Sequence, residues 1–172
     1  MKNLIKIFGI IALVAIIGFS MTACKSESNI PVASLNGFST STPPSDKLTA
    51  AGLTEAEYKP IVDAGGSGYQ GWREGSLELA WTGKNTSDFN NVVAELKKLD
   101  NNLEMPDDVK IMFLGFIELT PSDVDFTAFV YGTDHKYFAM LFLTKKSINI
   151  EGENIPANVL MLILEERWFE ID

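Results

Sequence analysis

Histidine, cysteine and paired acids carry most hydrolytic, nucleophilic and metal chemistry, and this chain is sparing with the first two. His135 is the one histidine and Cys24 the one cysteine in 172 residues. A lone imidazole offers neither a histidine pair for zinc nor a second group for a proton relay. His135 ends Gly132-Thr133-Asp134-His135, which reads as a hairpin turn. No G-x-S-x-G elbow precedes a helix to supply a serine partner, so a solvated turn histidine is the plainer reading. Carboxylates remain as acids, bases or calcium ligands. Their closest groupings are Asp107-Asp108, Asp123-Val124-Asp125 and Glu151-Gly152-Glu153. Asp123 and Asp125 would share one face of a strand. None of the three groups continues into the spaced oxygens, central glycine and final glutamate of a calcium loop. No metal ligand set is therefore expected.

Two glycine motifs invite a nucleotide reading. Gly66-Ser67-Gly68-Tyr69-Gln70-Gly71 fits G-x-G-x-x-G, and Trp81-Thr82-Gly83-Lys84-Asn85 has the Gly-Lys of a phosphate loop. A dinucleotide fingerprint must follow a strand and open a helix, so that the helix N-terminus meets the pyrophosphate. Here a helix is expected before the glycines and a strand after them. The second stretch has Asn85 where a phosphate loop needs Ser or Thr, and Glu78 where it needs its first glycine. Neither supports a cofactor. The stretch Tyr69-Gln70-Gly71-Trp72-Arg73 carries more interest. Two aromatics and an arginine in a glycine-rich loop are residue types enriched in binding hot spots. Tyr69, Trp72 and Arg73 are thus the candidate binding residues. The competing reading folds Tyr69 and Trp72 back as a cap on the core.

The elements that would position these residues can be read from pattern. Thr54-Glu55-Ala56-Glu57 is a capping box that opens a helix, with Pro60 expected to kink or shorten it. The glycine-rich loop over 65–75 follows. Leu77, Leu79 and Trp81 then alternate with Glu78, Ala80 and Thr82 as a half-buried strand. Phe89, Val92, Val93, Leu96 and Leu99 recur at helical spacing, which predicts a helix over 88–99 capped by Ser87. Val109 to Ile117 is apolar on both faces and reads as a central strand. Strands are expected over 125–131 and 137–144. Val159 to Leu164 fits a strand best, although Leu160, Ile163, Leu164, Trp168 and Ile171 also mark a helical face. Glu165-Glu166 would then turn the chain into a last strand over 167–171. The order predicts an α+β fold: an antiparallel sheet of about five strands with one or two helices on one face. That element order is similar to cystatin-like and nuclear transport factor-like folds, a likeness that carries no function with it.

The start of the chain has a different texture. Lys2 and Lys6 precede an apolar run over 7–19, and small or neutral residues lead up to Cys24. A basic start, a short apolar run and a small-residue site form an export-signal pattern. The apolar run falls short of the ~18–20 residues of a spanning helix. Met21-Thr22-Ala23-Cys24 resembles the lipobox of bacterial lipoproteins, with Met21 in place of the usual leucine. The resemblance implies that the Cys24 thiol receives diacylglycerol, that a signal peptidase cuts after Ala23, and that the new amino group is acylated. Residues 1–23 would be the signal, and residues 24–46, rich in Ser, Thr and Pro, a disordered tether. Residues 47–172 would be the globular domain. Lys25 after the cysteine fits outer-membrane sorting in many Gram-negative bacteria.

Loss of residues 1–23 removes two lysines and no acid, making the chain two units more negative than its formal −9. Such a surface repels nucleic acid and anionic headgroups, so the membrane would be a partner only through the lipid. With Cys24 spent on lipid, cysteine chemistry is excluded from the domain. The composition and motifs favour a non-catalytic binding or interaction module of unidentified protein or small-molecule ligand. An envelope hydrolase using paired carboxylates or His135 is the alternative, and a purely structural role is a third.

Overall fold

The computed structural model describes residues 35, 37–73, 76–150, 153–167 and 169. The signal segment, Cys24, the first part of the tether, Glu151 and much of the last expected strand lie outside that set. In chain order the elements are α1 (Ser45–Ala50), α2 (Glu55–Ala64), β1 (Tyr69–Arg73), β2 (Leu77–Thr82) and α3 (Thr86–Leu96). They continue with β3 (Leu103–Glu104), α4 (Asp107–Phe116), β4 (Val124–Tyr131) and a 3-10 turn (Thr133–His135). The last are β5 (Tyr137–Thr144), β6 (Ile148–Ile150), β7 (Glu153–Ile155) and β8 (Val159–Glu166). The class is α+β, as the sequence predicts.

The main sheet is six-stranded and antiparallel in the order β1-β2-β8-β5-β4-β3, and β6 and β7 form a separate two-stranded ribbon. β8 lies between β2 and β5, so the last of the described strands closes the middle of the sheet. Leu77 pairs with Leu164 and Leu141 with Leu162 across it. Its residues divide by parity. Leu160, Leu162 and Leu164 enter a core with Leu48 of α1, Ile61 of α2 and Val92 and Leu96 of α3. Val159, Met161 and Ile163 enter a second core with Phe113 and Leu114 of α4 and Ile148 and Ile155 of the ribbon. The sheet is thus covered on both faces, one more layer than the expected helix-on-one-face arrangement. That layer explains why β2, expected to be half-exposed, is buried along its whole length. Ala80 points into the second core, and Glu78 is buried against Arg73.

The stretch expected as a central strand over 109–117 is instead the helix α4. Pro106 precedes it, and Asp107 and Asp108 occupy its first turn, where the helix dipole favours negative charge. Phe113 and Leu114 are buried while Ile111 and Met112 are exposed. Two exposed apolar residues made an amphipathic helix read as an all-apolar strand. Phe113 reaches the sheet through the Phe138 ring, with centroids 5.4 Å apart.

Other boundaries move for local reasons. The glycine-rich loop over 65–75 contains β1, which pairs with β2 through a bulge between Tyr69 and Gly71. α3 is capped by Asn85 and not by Ser87. Asn85 accepts from the Ser87 and Asp88 amides, and Asp88 at the third helical position returns a bond to the Asn85 amide. α2 opens on the expected Thr54 capping box and runs through Pro60, whose exposed position lets water take the freed carbonyl. Glu165-Glu166 continue β8 and do not turn, while Arg167 and Phe169 are not strand. Packing also starts before Lys47. Leu35 is buried, Ser39 exchanges two backbone bonds of 2.7 and 2.9 Å with Trp72, and α1 begins at Ser45.

Double coverage has a measurable consequence. Leu162→Ala and Met161→Ala face opposite cores, so each should cost about 2–5 kcal/mol in denaturant unfolding. A sheet with one wet face would lose stability at only one of the two.

Candidate functional site

A cleft of about 120 Å³ opens where the ends of β1, β2 and β8 meet α1. Lys47, Ala50 and Ala51 come from α1, Trp72 and Arg73 from β1, Ser76 and Leu77 from the start of β2, and Leu164, Glu165 and Glu166 from β8. The position of α1 is fixed from below, because the Tyr131 hydroxyl donates to the Ala51 carbonyl. The cleft is a little smaller than the ~150 Å³ cavities that take up a benzene-sized molecule.

Its polar groups are unusual. Trp72 Nε1 and Ser76 Oγ are both buried, and neither has a hydrogen-bond partner among the described residues. Ser76 is only 8% exposed. An unpaired buried donor costs about 1–3 kcal/mol; Trp81 Nε1, in the core and outside the cleft, is a third such group among the described residues. In the cleft wall the Arg73 guanidinium is held by the Glu78 carboxylate through both Nε and a terminal nitrogen. Both side chains of that pair are nearly buried, and the pair locks the β1 end of the cleft.

Of the three candidate residues, Trp72 and Arg73 line this cleft and Tyr69 does not. Tyr69 lies at the other end of β1, with its ring 5.3 Å from Trp81 and its hydroxyl 2.8 Å from that of Tyr58. Burial pushes the Tyr69 hydroxyl well above its usual range, and the bond to Tyr58 adds to the shift. Both Tyr69 and Trp72 also pack on the core, so the capping role and the cleft coexist at Trp72.

The remaining motifs have local roles. A side chain at Gly68 would run into the Thr82 carbonyl, and one at Gly71 into the Ser39 carbonyl, so two of the three G-x-G-x-x-G glycines admit the protein's own backbone. Lys84 is buried and donates to the Gly65 carbonyl at 2.9 Å, tying the loop after α2 to the start of α3. His135 is partly exposed in the 3-10 turn. Asp107 is exposed and pairs with Lys110 at 3.1 Å. Asp123 and Asp125 do not act as a pair. Asp123 binds Lys146 at 2.5 Å and accepts from the Thr120 hydroxyl and amide, whereas Asp125 binds Lys145 at 2.6 Å and the Thr86 hydroxyl. No cluster of three or more metal-ligating side chains occurs among the described residues.

Sequence reasoning missed Lys47, Ser76, Glu165 and Glu166. Ser76 carries no pattern, and the two glutamates read as a turn. A comparison of the chain with protein-family models, curated proteins and solved structures finds no match in any of the three.

Three outcomes follow from this geometry. Arg73→Met removes the guanidinium that pairs with the buried Glu78 carboxylate and should cost about 3–5 kcal/mol. Ser76→Ala removes an unsatisfied group, so its melting temperature should stay level or rise by about 2–4 °C. Lys146, then the Thr120 hydroxyl and amide, hold the Asp123 carboxyl down from 3.8 to about 2. A lowered pKa stabilises the fold above the ordinary value and loses that contribution as pH falls through the shifted one. Asp123→Asn should therefore melt below wild type at pH 6, and the gap should close between pH ~4 and ~2.

Proposed function

We propose that this chain is a lipid-anchored protein of the bacterial cell envelope whose α+β domain binds a ligand and does not catalyse a reaction. The observation that carries the binding part is the cleft between α1 and the ends of β1, β2 and β8, where Trp72 Nε1 and Ser76 Oγ are buried without partners among the described residues. A site that keeps two unsatisfied donors gives up stability that a bound acceptor returns. Binding is preferred to hydrolysis because Asp123 and Asp125, the pair expected to share a strand face, are each held by a different lysine.

Anchoring rests on residues 1–24, with the Met21-Thr22-Ala23-Cys24 lipobox and the preceding signal pattern. Several acyl chains at Cys24 give stable membrane attachment where one gives marginal binding. Among the described residues no helix is long and apolar enough to cross a membrane. Lys25 favours the outer membrane, with the domain facing the periplasm or the surface. The acidic chain makes nucleic acid an unsuitable partner.

Two measurements test the halves separately. Fractionation with intact mass spectrometry should find an acylated chain starting at Cys24, and Cys24→Ser should release the protein from the membrane. A chain that keeps Met1 overturns the anchor. A diazirine photolabel at the exposed Ala50, on the cleft rim, should give a discrete mass adduct in cells, and Ser76→Phe, which fills the cleft, should abolish it. An adduct indifferent to Ser76→Phe places binding elsewhere.

A further inference from the structure

Among the described residues three large apolar side chains are exposed: Leu103 at 46%, Ile111 at 58% and Met112 at 47%. All three lie on one side of the sheet. Ile111 and Met112 are on α4, whose Phe113 and Leu114 fill the second core. Leu103 pairs with Val130, so its side chain shares the face of Val130, which belongs to that same core. Gly115, one turn beyond Ile111, is exposed, and nothing lies within 4 Å of where its Cβ would stand. Ile111, Met112 and Gly115 therefore make an apolar outer face on the later turns of α4, with Asp107 and Asp108 at its start. On α1, α2 and α3 no large apolar side chain is exposed among the described residues.

The place where the tether enters the fold says what can cover this face. Leu35 is buried in the same second core, and its amide donates to the Gln70 side chain of β1. It stands 11 positions after Cys24. That length of chain reaches ~40 Å when extended. Five strand spacings of ~4.8 Å make the sheet ~24 Å wide. Lipid on Cys24 can therefore sit in a bilayer on which α4 rests. The tether also keeps the domain at high local concentration beside the lipid, so a small apolar patch suffices. A second copy fits less well. Three side chains fall short of the ~800 Å² per partner that a stable complex buries. Two α4 helices packed antiparallel would also set Asp107 and Asp108 against the negative end of the other helix, whose last turn has no basic residue. The same acids, on an acidic chain, turn away anionic headgroups, so the contact is apolar and suits a zwitterionic surface.

We infer that α4 docks on the membrane, with Leu103, Ile111 and Met112 set into the boundary between the headgroups and acyl chains of zwitterionic phospholipid. The inference rests on the reading of the chain as lipid-anchored and adds an apolar contact to the one made through Cys24.

Spin labelling of the protein purified with its acyl chains, in vesicles of phosphatidylcholine and phosphatidylethanolamine, tests it. Mass spectrometry of the same sample establishes acylation, and Cys24, spent on lipid, leaves an introduced thiol free to take the label. A nitroxide at Gly115→Cys should show an oxygen-to-nickel-chelate collision ratio at least about threefold that of one at the exposed Glu55→Cys on α2. Ile111→Ser combined with Met112→Ser should bring the two sites level, with the melting temperature near wild type because both side chains are exposed. Replacing about a third of the lipid with phosphatidylglycerol should lower the ratio at Gly115→Cys. A Gly115→Cys label as wet as the Glu55→Cys label, or indifferent to the serine pair, overturns the docking and leaves the anchor standing. Dipolar coupling between labels on two molecules that persists on dilution in lipid gives the face to a second copy and likewise overturns it. An unacylated chain removes the anchor and the docking together.

Discussion

Strand β8 occupies the position on which the rest of the fold depends. It comes last among the described strands yet lies between β2 and β5, and its residues Val159 to Leu164 are at most 5% exposed. With β8 in place, β1-β2 and β5-β4-β3 become one sheet, and its alternating side chains seed a core on each face. Without it β1-β2 is an isolated two-stranded hairpin, which is marginal in water. Its pairings join segments far apart in sequence, so the sheet closes only after long loops are ordered, a topology associated with slow folding.

The cleft is a by-product of the same closure. β8 runs on past Leu164 through Glu165 and Glu166, while β2 begins only at Leu77. The end of β1 stands beside them, held by the Ser39 bridge and by the Arg73–Glu78 pair. Helix α1, pinned at Ala51 by Tyr131, closes the fourth side. Each wall comes from a different part of the chain. A buried ion pair of this kind adds little net stability, because desolvation offsets its attraction. It does fix the place of two side chains, which a binding wall needs.

Much of the architecture was legible. Strands β4, β5 and β8, the capped helices α2 and α3 and the α+β class all follow from period, caps and turn residues. The errors have physical causes. Ile111 and Met112 are exposed apolar residues on α4, so the run over 109–117 showed no polar face to betray a helix. Gly71 within β1 looked like a loop signal, although it marks a bulge and a close approach of the Ser39 backbone. The candidate site was legible in part. Trp72 and Arg73 were visible by residue type, whereas Tyr69 shares their segment but turns to Tyr58 and Trp81.

The sequence by itself determined the local and the chemical: helix caps at Thr54, strand periods, the scarcity of histidine and cysteine, and an export and lipidation pattern ending at Cys24. These depend on neighbours along the chain or on residue identity alone. Tertiary structure decided which strand lies in the middle, that both sheet faces are covered, and that Ser76, Lys47 and Glu165 meet Trp72 around one cleft. Those facts depend on pairings between distant segments, and a one-dimensional pattern carries no term for them. An unpaired donor such as Ser76 Oγ is the sharpest case. It becomes informative only when burial has removed water and no described residue places a hydrogen-bond partner beside it.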